Sequence, residues 1–180
     1  FYLLMKKNTC VIVQNATDQD LILGLASNRT VVVLIPGSGV NFEEFRFKKY
    51  KMKSNTVIFS GRILRDKGIV EFVEACRILH QEFPDWQFLV LGTADYANPT
   101  ALSKKQFLSL ISGTPIKWLG YVSDPKKIIR NAKIMCLPSY REGLSKVLIE
   151  AAATGSCIVT TNVPGCRDVV VHKKNGFLAE

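Results

Sequence analysis

"KIMCLPSYREGLSKVLIEAAATGSCIVTTN", residues 133–162, reads as strand, turn, helix and strand. Ile134 to Leu137 and Cys157 to Thr161 are short β-rich apolar runs. Between them a turn at Pro138–Gly143 leads into the helical stretch from Ser145 to Ala153. Two short strands joined by a helix form a right-handed βαβ unit in a parallel sheet. The helix carries an anomaly. Val147, Leu148, Ile149 and three alanines make it apolar on every side, which predicts burial, yet Glu150 stands in their middle. An unpaired buried carboxylate costs several kcal/mol, on the order of the effective ion penalty. Its partner therefore decides what the segment is for.

The same alternation extends outward. Strand-like runs occur at 10–15, 30–36, 56–61, 86–92 and 116–122. Helical patterns lie at 17–27, 67–83, 103–112 and 124–132. In the longest of these, Ile69, Phe72, Val73, Cys76 and Leu79 share one face and Pro84 closes the end. The expected fold is α/β, a Rossmann-like parallel sheet with helices on both faces. Gly37, Gly39 and Pro36 introduce a charge-rich stretch that separates two series. We read 1–35 as the tail of one unit, 36–55 as a linker and 56–180 as a second unit. The pattern opens mid-unit and stops at the strand-like "NGFLAE", so a piece of a larger protein is expected.

Bulk properties narrow the function. With 180 residues, 47% hydrophobic and 22% charged, the chain has a globular balance. No run approaches the roughly 20 apolar residues of a membrane span, and the start does not read as a signal peptide. Five cysteines without C-x-x-C spacing suggest buried thiols in a reducing cytosol. Two distant histidines argue against a structural metal. The sequons at Asn15 and Asn28 are read as chance matches. A net charge of +9 calls for an anionic partner. The basic run Arg46–Lys53 is read as a solvated connection, with contact to RNA or lipid head groups the other reading.

Ligands of open parallel sheets bind beyond the carboxyl ends of strands. Gly61, Arg62 and Lys67 follow one such end, Asp95 another, and Glu142, Gly143 and Ser145 a third. The N–H groups of Gly143, Leu144 and Ser145, at a helix start, would favour an anion. Arg62 and Lys67 would add charge suited to phosphate. A surface bridge from Arg62 to Glu142 is the competing reading. Glu142 and Glu150, eight residues apart, would lie roughly 80° apart and ~12 Å along a common helix. They could address two ends of one elongated ligand, with Glu150 accepting from ribose hydroxyls. An internal salt bridge for Glu150 stays open. "GSG" at 37–39 lacks the rest of a phosphate-binding or dinucleotide motif, and Ser139, Ser145 and the cysteines lack a nearby base.

The stretch "PSYREGLSKVLIEAAATG" resembles the Glu, seven residues, Glu signature of retaining glycosyltransferases of family 4, which adopt the two-domain GT-B fold. "VIVQNATDQDLI", "VLIPGSGVNFEEF", "IFSGRILRDKGIVEFVEA", "FLVLG", "WLGYVSD", "VTTNVPGCRDVV" and "NGFLAE" resemble successive segments in order. The resemblance is nearest to bacterial capsule and O-antigen enzymes. It implies the C-terminal, donor-binding half of a GT-B fold after the tail of an acceptor domain. It implies retaining, metal-independent transfer of a hexose or N-acetylhexosamine from a nucleotide diphosphate sugar, such as a UDP-sugar, to a polyprenyl-diphosphate-linked glycan. It also implies peripheral contact with an anionic membrane at its cytoplasmic face, no cofactor and no nucleic acid. Arg62 and Lys67 would grip the diphosphate and Glu150 the ribose. Glu142, with the Gly143 and Leu144 amides, would meet the transferred sugar and its phosphate. Gly120 and Tyr121 would line the base. Ser145 replaces a usual proline but can cap the helix, and "CRD" leaves the role of Asp168 open. With the acceptor domain largely absent, the chain alone should be inactive or nearly so. A non-catalytic nucleotide-sugar module and a GT-B nucleotide-sugar epimerase are the alternatives.

Overall fold

The valine- and isoleucine-rich runs become strands because each is covered on one or both faces by a helix packed alongside. The structure, a computed structural model, describes residues 9–26, 30–47 and 53–180. Cys10–Val13 (β1) and Val31–Leu34 (β2) pair in parallel, joined by helix Ala16–Leu25 (α1). A single turn of helix, Phe42–Phe45 (α2), leads into the larger unit. There Ser54–Ser60 (β3), Ile69–Glu82 (α3), Gln87–Leu91 (β4), Lys104–Ile111 (α4) and Ile116–Gly120 (β5) follow in alternation. Lys126–Asn131 (α5), Ala132–Leu137 (β6), Lys146–Ala153 (α6), Cys157–Thr161 (β7) and Gly176–Ala179 (β8) complete it.

The six strands β3 to β8 form one parallel sheet in the order β5-β4-β3-β6-β7-β8. From β3 the chain steps outward through α3 and α4 to β5. It then crosses back through α5 to β6 and steps the other way through α6. Right-handed connections running in opposite directions place their helices on opposite faces. Accordingly α3 packs with α4, while α2, α5 and α6 pack with one another. Covered on both faces, central β3 buries four consecutive residues, Thr56 to Phe59. Phe59, Phe72, Phe88, Phe107, Met135 and Leu148 fill the core around it.

Strand order reverses between β3 and β6, so a crevice opens beyond their carboxyl ends. One glycine fixes its floor. Gly68 precedes α3 with φ +73°, and a Cβ there would lie 2.0 Å from the Pro138 carbonyl oxygen. The Arg65–Lys67 turn of 3₁₀ helix is thereby drawn against the loop that follows β6.

Several expectations need correction. The stretch 36–55 is more than a linker. It holds α2, whose Phe45 is buried in the main core, and β3 already begins at Ser54. Helix α6 is not buried all round: Leu148 and Ala151 are enclosed but Ala152 faces outward. Alanine adds so little apolar area that exposing it costs little. Lys53 is not solvated, because its Nζ donates to the carbonyls of Arg130 and Ala132 and to Ser156 Oγ. Burial holds its pKa below the usual lysine range. Cys76 and Cys166 are buried and Cys136 half-buried, but Cys10 and Cys157 are exposed. Residues 48–52 of the basic run, and Asn28, lie outside the described residues. Among the described residues no helix is long and apolar enough to cross a membrane.

Candidate functional site

Three loops meet at the β3–β6 crevice, and each brings a different chemistry. After β3, Gly61 turns the chain and Arg62 follows. The 3₁₀ turn then presents Lys67, and the loop after β6 delivers Glu142 and the start of α6. A cavity of about 330 Å³ results, lined among others by Gly61, Arg62, Lys67, Glu142, Lys146 and Glu150. Ser60, Leu137, Ser145 and Val147 complete its wall.

The ion pairs differ from the expected one. Arg62 does not bridge Glu142; its guanidinium donates to Asp95 at 2.7 Å, from the loop after β4. Lys67 instead pairs with Glu142, Nζ to Oε1 at 2.5 Å, with side chains 19% and 11% exposed. Lys67 lies in the turn held against Pro138 and so reaches the carboxylate first. Arg62, half exposed, swings outward.

Glu150 is half-buried and has no ion pair or hydrogen bond from its side chain among the described residues. The internal bridge left open by the sequence is not made. Burial pushes its pKa above the usual carboxylate range, and the charge of Lys146 one turn earlier offsets this in part. A carboxylate in this position wants hydrogen-bond donors.

The helix start supplies donors one and two residues beyond Ser145. Ser145 occupies the N-cap of α6, but its side chain makes no capping bond, which corrects the capping role assigned to it. Its N–H donates to the Gly165 carbonyl and is not free for an anion. The amides of Lys146 and Val147, both in the cavity wall, make no hydrogen bond among the described residues, as expected in the first turn of a helix. Gly143 lies beside the cavity and lines a larger apolar one of about 550 Å³ against α1 and β1. The Leu144 side chain packs toward Gly37. Gly120, with φ +67°, ends β5 on the same edge of the sheet, and Tyr121 after it is 77% exposed. Neither reaches this cavity.

The structure also resolves Asp168. Its carboxylate accepts from the Gly165 N–H at 2.8 Å, holding a turn whose carbonyls receive the N–H groups of Glu142 and Ser145. Among the described residues no cluster of three or more His, Cys, Asp or Glu is placed to hold a metal ion.

Residues 41–180 match the family described as glycosyl transferases group 1. The chain belongs to that family. It is 32% identical over 167 residues to the capsular polysaccharide biosynthesis glycosyltransferase CapM of Staphylococcus aureus, covering 87% of this chain and 43% of CapM. It is 28% identical over 171 residues to the N,N'-diacetylbacillosaminyl-diphospho-undecaprenol alpha-1,3-N-acetylgalactosaminyltransferase of Campylobacter jejuni, covering 88% and 43%. Among solved structures, the pneumococcal O-GlcNAc transferase GtfA in complex with UDP and GlcNAc superposes with a TM-score of 0.77 at 20% identity. That match covers 94% of this chain and 33% of GtfA and bears on the fold alone. The family member described here thus spans less than half the length of these relatives, and its parallel sheet with helices on both faces is the fold expected from its sequence.

Proposed function

We propose that the whole protein transfers a hexose or N-acetylhexosamine from a nucleotide diphosphate sugar to a polyprenyl-diphosphate-linked glycan in bacterial surface polysaccharide synthesis. In this reading the transfer retains anomeric configuration, uses no metal ion and takes place at the cytoplasmic face of the membrane. The present chain supplies the donor-binding part, with residues 1–35 the tail of an acceptor-binding domain.

One observation carries the reading, the polarity of the β3–β6 cavity. Arg62, Lys67, Lys146 and two open amides line it alongside Glu142, which pairs with Lys67, while Glu150 stands in it without a partner. A nucleoside diphosphate has the complementary pattern. Its phosphates need cations and N–H donors. Its ribose diol offers two hydroxyl donors to a desolvated carboxylate, which would favour the charged form. The C. jejuni relative is named for a diphospho-undecaprenol acceptor and GtfA was solved with UDP, and both are in keeping with this assignment.

The chemistry follows from charge. When the sugar–phosphate bond breaks, negative charge grows on the leaving diphosphate. Arg62 and Lys67 supply the fixed positive charge that stabilises it, the role a metal ion plays elsewhere. Glu142 holds Lys67 in place and, with the nearby Gly143 and Leu144 amides, meets the transferred sugar. Tyr121 and Gly120 flank the base in this proposal.

Calorimetry tests it. UDP should bind more tightly than UMP, and UMP more tightly than uridine, with the UDP affinity falling as salt rises. A 2′,3′-dideoxy diphosphate should lose about 1.5–3 kcal/mol. Equal binding of UDP and uridine would overturn the phosphate assignment, and equal binding of the dideoxy analogue the ribose assignment.

A further inference from the structure

The loop that carries Glu142 is held from outside its own sheet. Asn15 sits in the turn between β1 and α1, in the separate two-stranded sheet, and is 3% exposed. Its Oδ1 accepts from Asp18 N–H at 2.7 Å, the N-cap bond of α1. Its Nδ2 donates to Asp18 Oδ2 at 2.9 Å and to the Gly143 carbonyl at 2.8 Å. The Glu142 carbonyl lies 3.4 Å from the same nitrogen. The two short bonds use both amide hydrogens, so the orientation of this amide is set by the network around it.

Neighbouring contacts converge on the same loop. Arg141 pairs with Asp18. A Cβ on Gly143 would fall 2.2 Å from Gln14 Oε1, so the strand end β1 abuts this loop closely. From the other side the Gly165 turn holds the Glu142 and Ser145 N–H groups. Glu142 is therefore gripped between two parts of the chain, and its carboxylate in turn orients Lys67.

We propose that Asn15 is a positioning residue, a clasp through which docking of the β1–β2 unit against the large sheet sets Glu142 and Lys67 for the anion. The ligand half of this inference rests on the donor-binding reading above; the clasp itself does not. A glycosylated Asn15 is incompatible with it, since both ends of the amide are engaged inside the chain.

Asn15→Ser separates the clasp from the cap. Serine caps a helix about as well as asparagine but is too short and has no second donor for Gly143. Hydrogen exchange read by mass spectrometry should speed up at residues 141–147 and stay unchanged in α1, with the melting temperature lowered by only a few degrees. UDP should bind roughly three- to tenfold more weakly, the loss of about one hydrogen bond, while uridine affinity stays put because the ribose end is untouched. Unchanged exchange at 141–147 overturns the clasp whatever the ligand does. Faster exchange with unchanged UDP affinity overturns its role in the site. A wild-type chain that binds no UDP, with exchange still accelerated in N15S, removes the donor-binding reading and leaves the clasp standing.

Discussion

Replacing Lys67 by methionine should destabilise the chain far more than replacing its partner Glu142 by glutamine. Methionine keeps the length of the apolar stem and deletes the charge. The pair is 2.5 Å apart and its side chains are 19% and 11% exposed. Removing one member of a fully buried pair costs about 3–5 kcal/mol, and an exposed pair contributes about 0–1 kcal/mol. This pair lies nearer the buried end, which gives about 2–3 kcal/mol for K67M. At roughly 2–4 °C per kcal/mol for a chain of this size, the melting midpoint should fall by about 4–12 °C. The asymmetry comes from mobility. The Glu142 backbone is held by the Pro164–Gly165 turn on one side and abuts Asn15 on the other, so its carboxylate cannot withdraw to water. A lysine ammonium on its long stem can, and E142Q leaves it an amide oxygen, so that change should cost about 1 kcal/mol or less. Urea unfolding of wild type, both single variants and K67M/E142Q would measure all four corners. The double variant should recover most of the K67M loss. If K67M costs no more than E142Q, or the double variant is no more stable than K67M, Glu142 is not a trapped charge and the reasoning fails.

Glu150→Gln should stabilise the ligand-free chain at pH 7. Burial raises the folded pKa of Glu150, so the folded chain binds its proton more tightly than the unfolded one, and stability falls as pH rises from the ordinary carboxylate range through the folded value. The advantage of E150Q in urea midpoint should therefore fade as pH is lowered through that window; an E150Q variant less stable at pH 7 would reveal an ionic partner. Arg62→Ala removes a pair 54% and 36% exposed, so it should cost under about 1 kcal/mol of stability. Its loss in UDP affinity should reach about 1.5–3 kcal/mol by calorimetry, and a variant that loses stability but keeps its affinity would reverse the assignment. Gly92→Ala forces a Cβ to 1.9 Å from the Gly61 carbonyl at φ +131°. It should cost at least about 2 kcal/mol in thermal melts and weaken UDP binding by moving Arg62; a wild-type melting curve would contradict the close approach of the two loops.

The strands were legible because β-rich runs bounded by turn residues carry their own signal, and every run read as a strand forms one. Helix α2 was not, because four residues are too few to show a period, and Phe45 is anchored by tertiary packing that no local pattern reports. In the site, Gly61, Arg62, Lys67, Glu142, Ser145 and Glu150 do converge on one cavity. Their pairing was not legible: whether Arg62 or Lys67 meets Glu142 depends on the Gly68–Pro138 contact, which joins residues 70 positions apart. Lys146 joins them in the cavity wall, brought there by its place in the first turn of α6. In the sequence Asn15 reads only as a chance sequon. Its bond to Gly143 spans 128 positions and left no trace in either segment.

The reversal of strand order between β3 and β6 also has a kinetic side. In β3, Val57 meets Phe88 of β4 31 residues later but Ile134 of β6 77 residues later. Closing the longer loop costs about 0.8 kcal/mol more in chain entropy. Loop closure thus favours β3, β4 and β5 assembling before β6 docks, and both tryptophans, Trp86 and Trp118, lie within that early half. The cavity has one wall in each half. Indole fluorescence would then follow the growth of a sheet whose β3–β6 cavity is not yet closed, and the affinity proposed for that cavity would be the last property the refolding chain acquires.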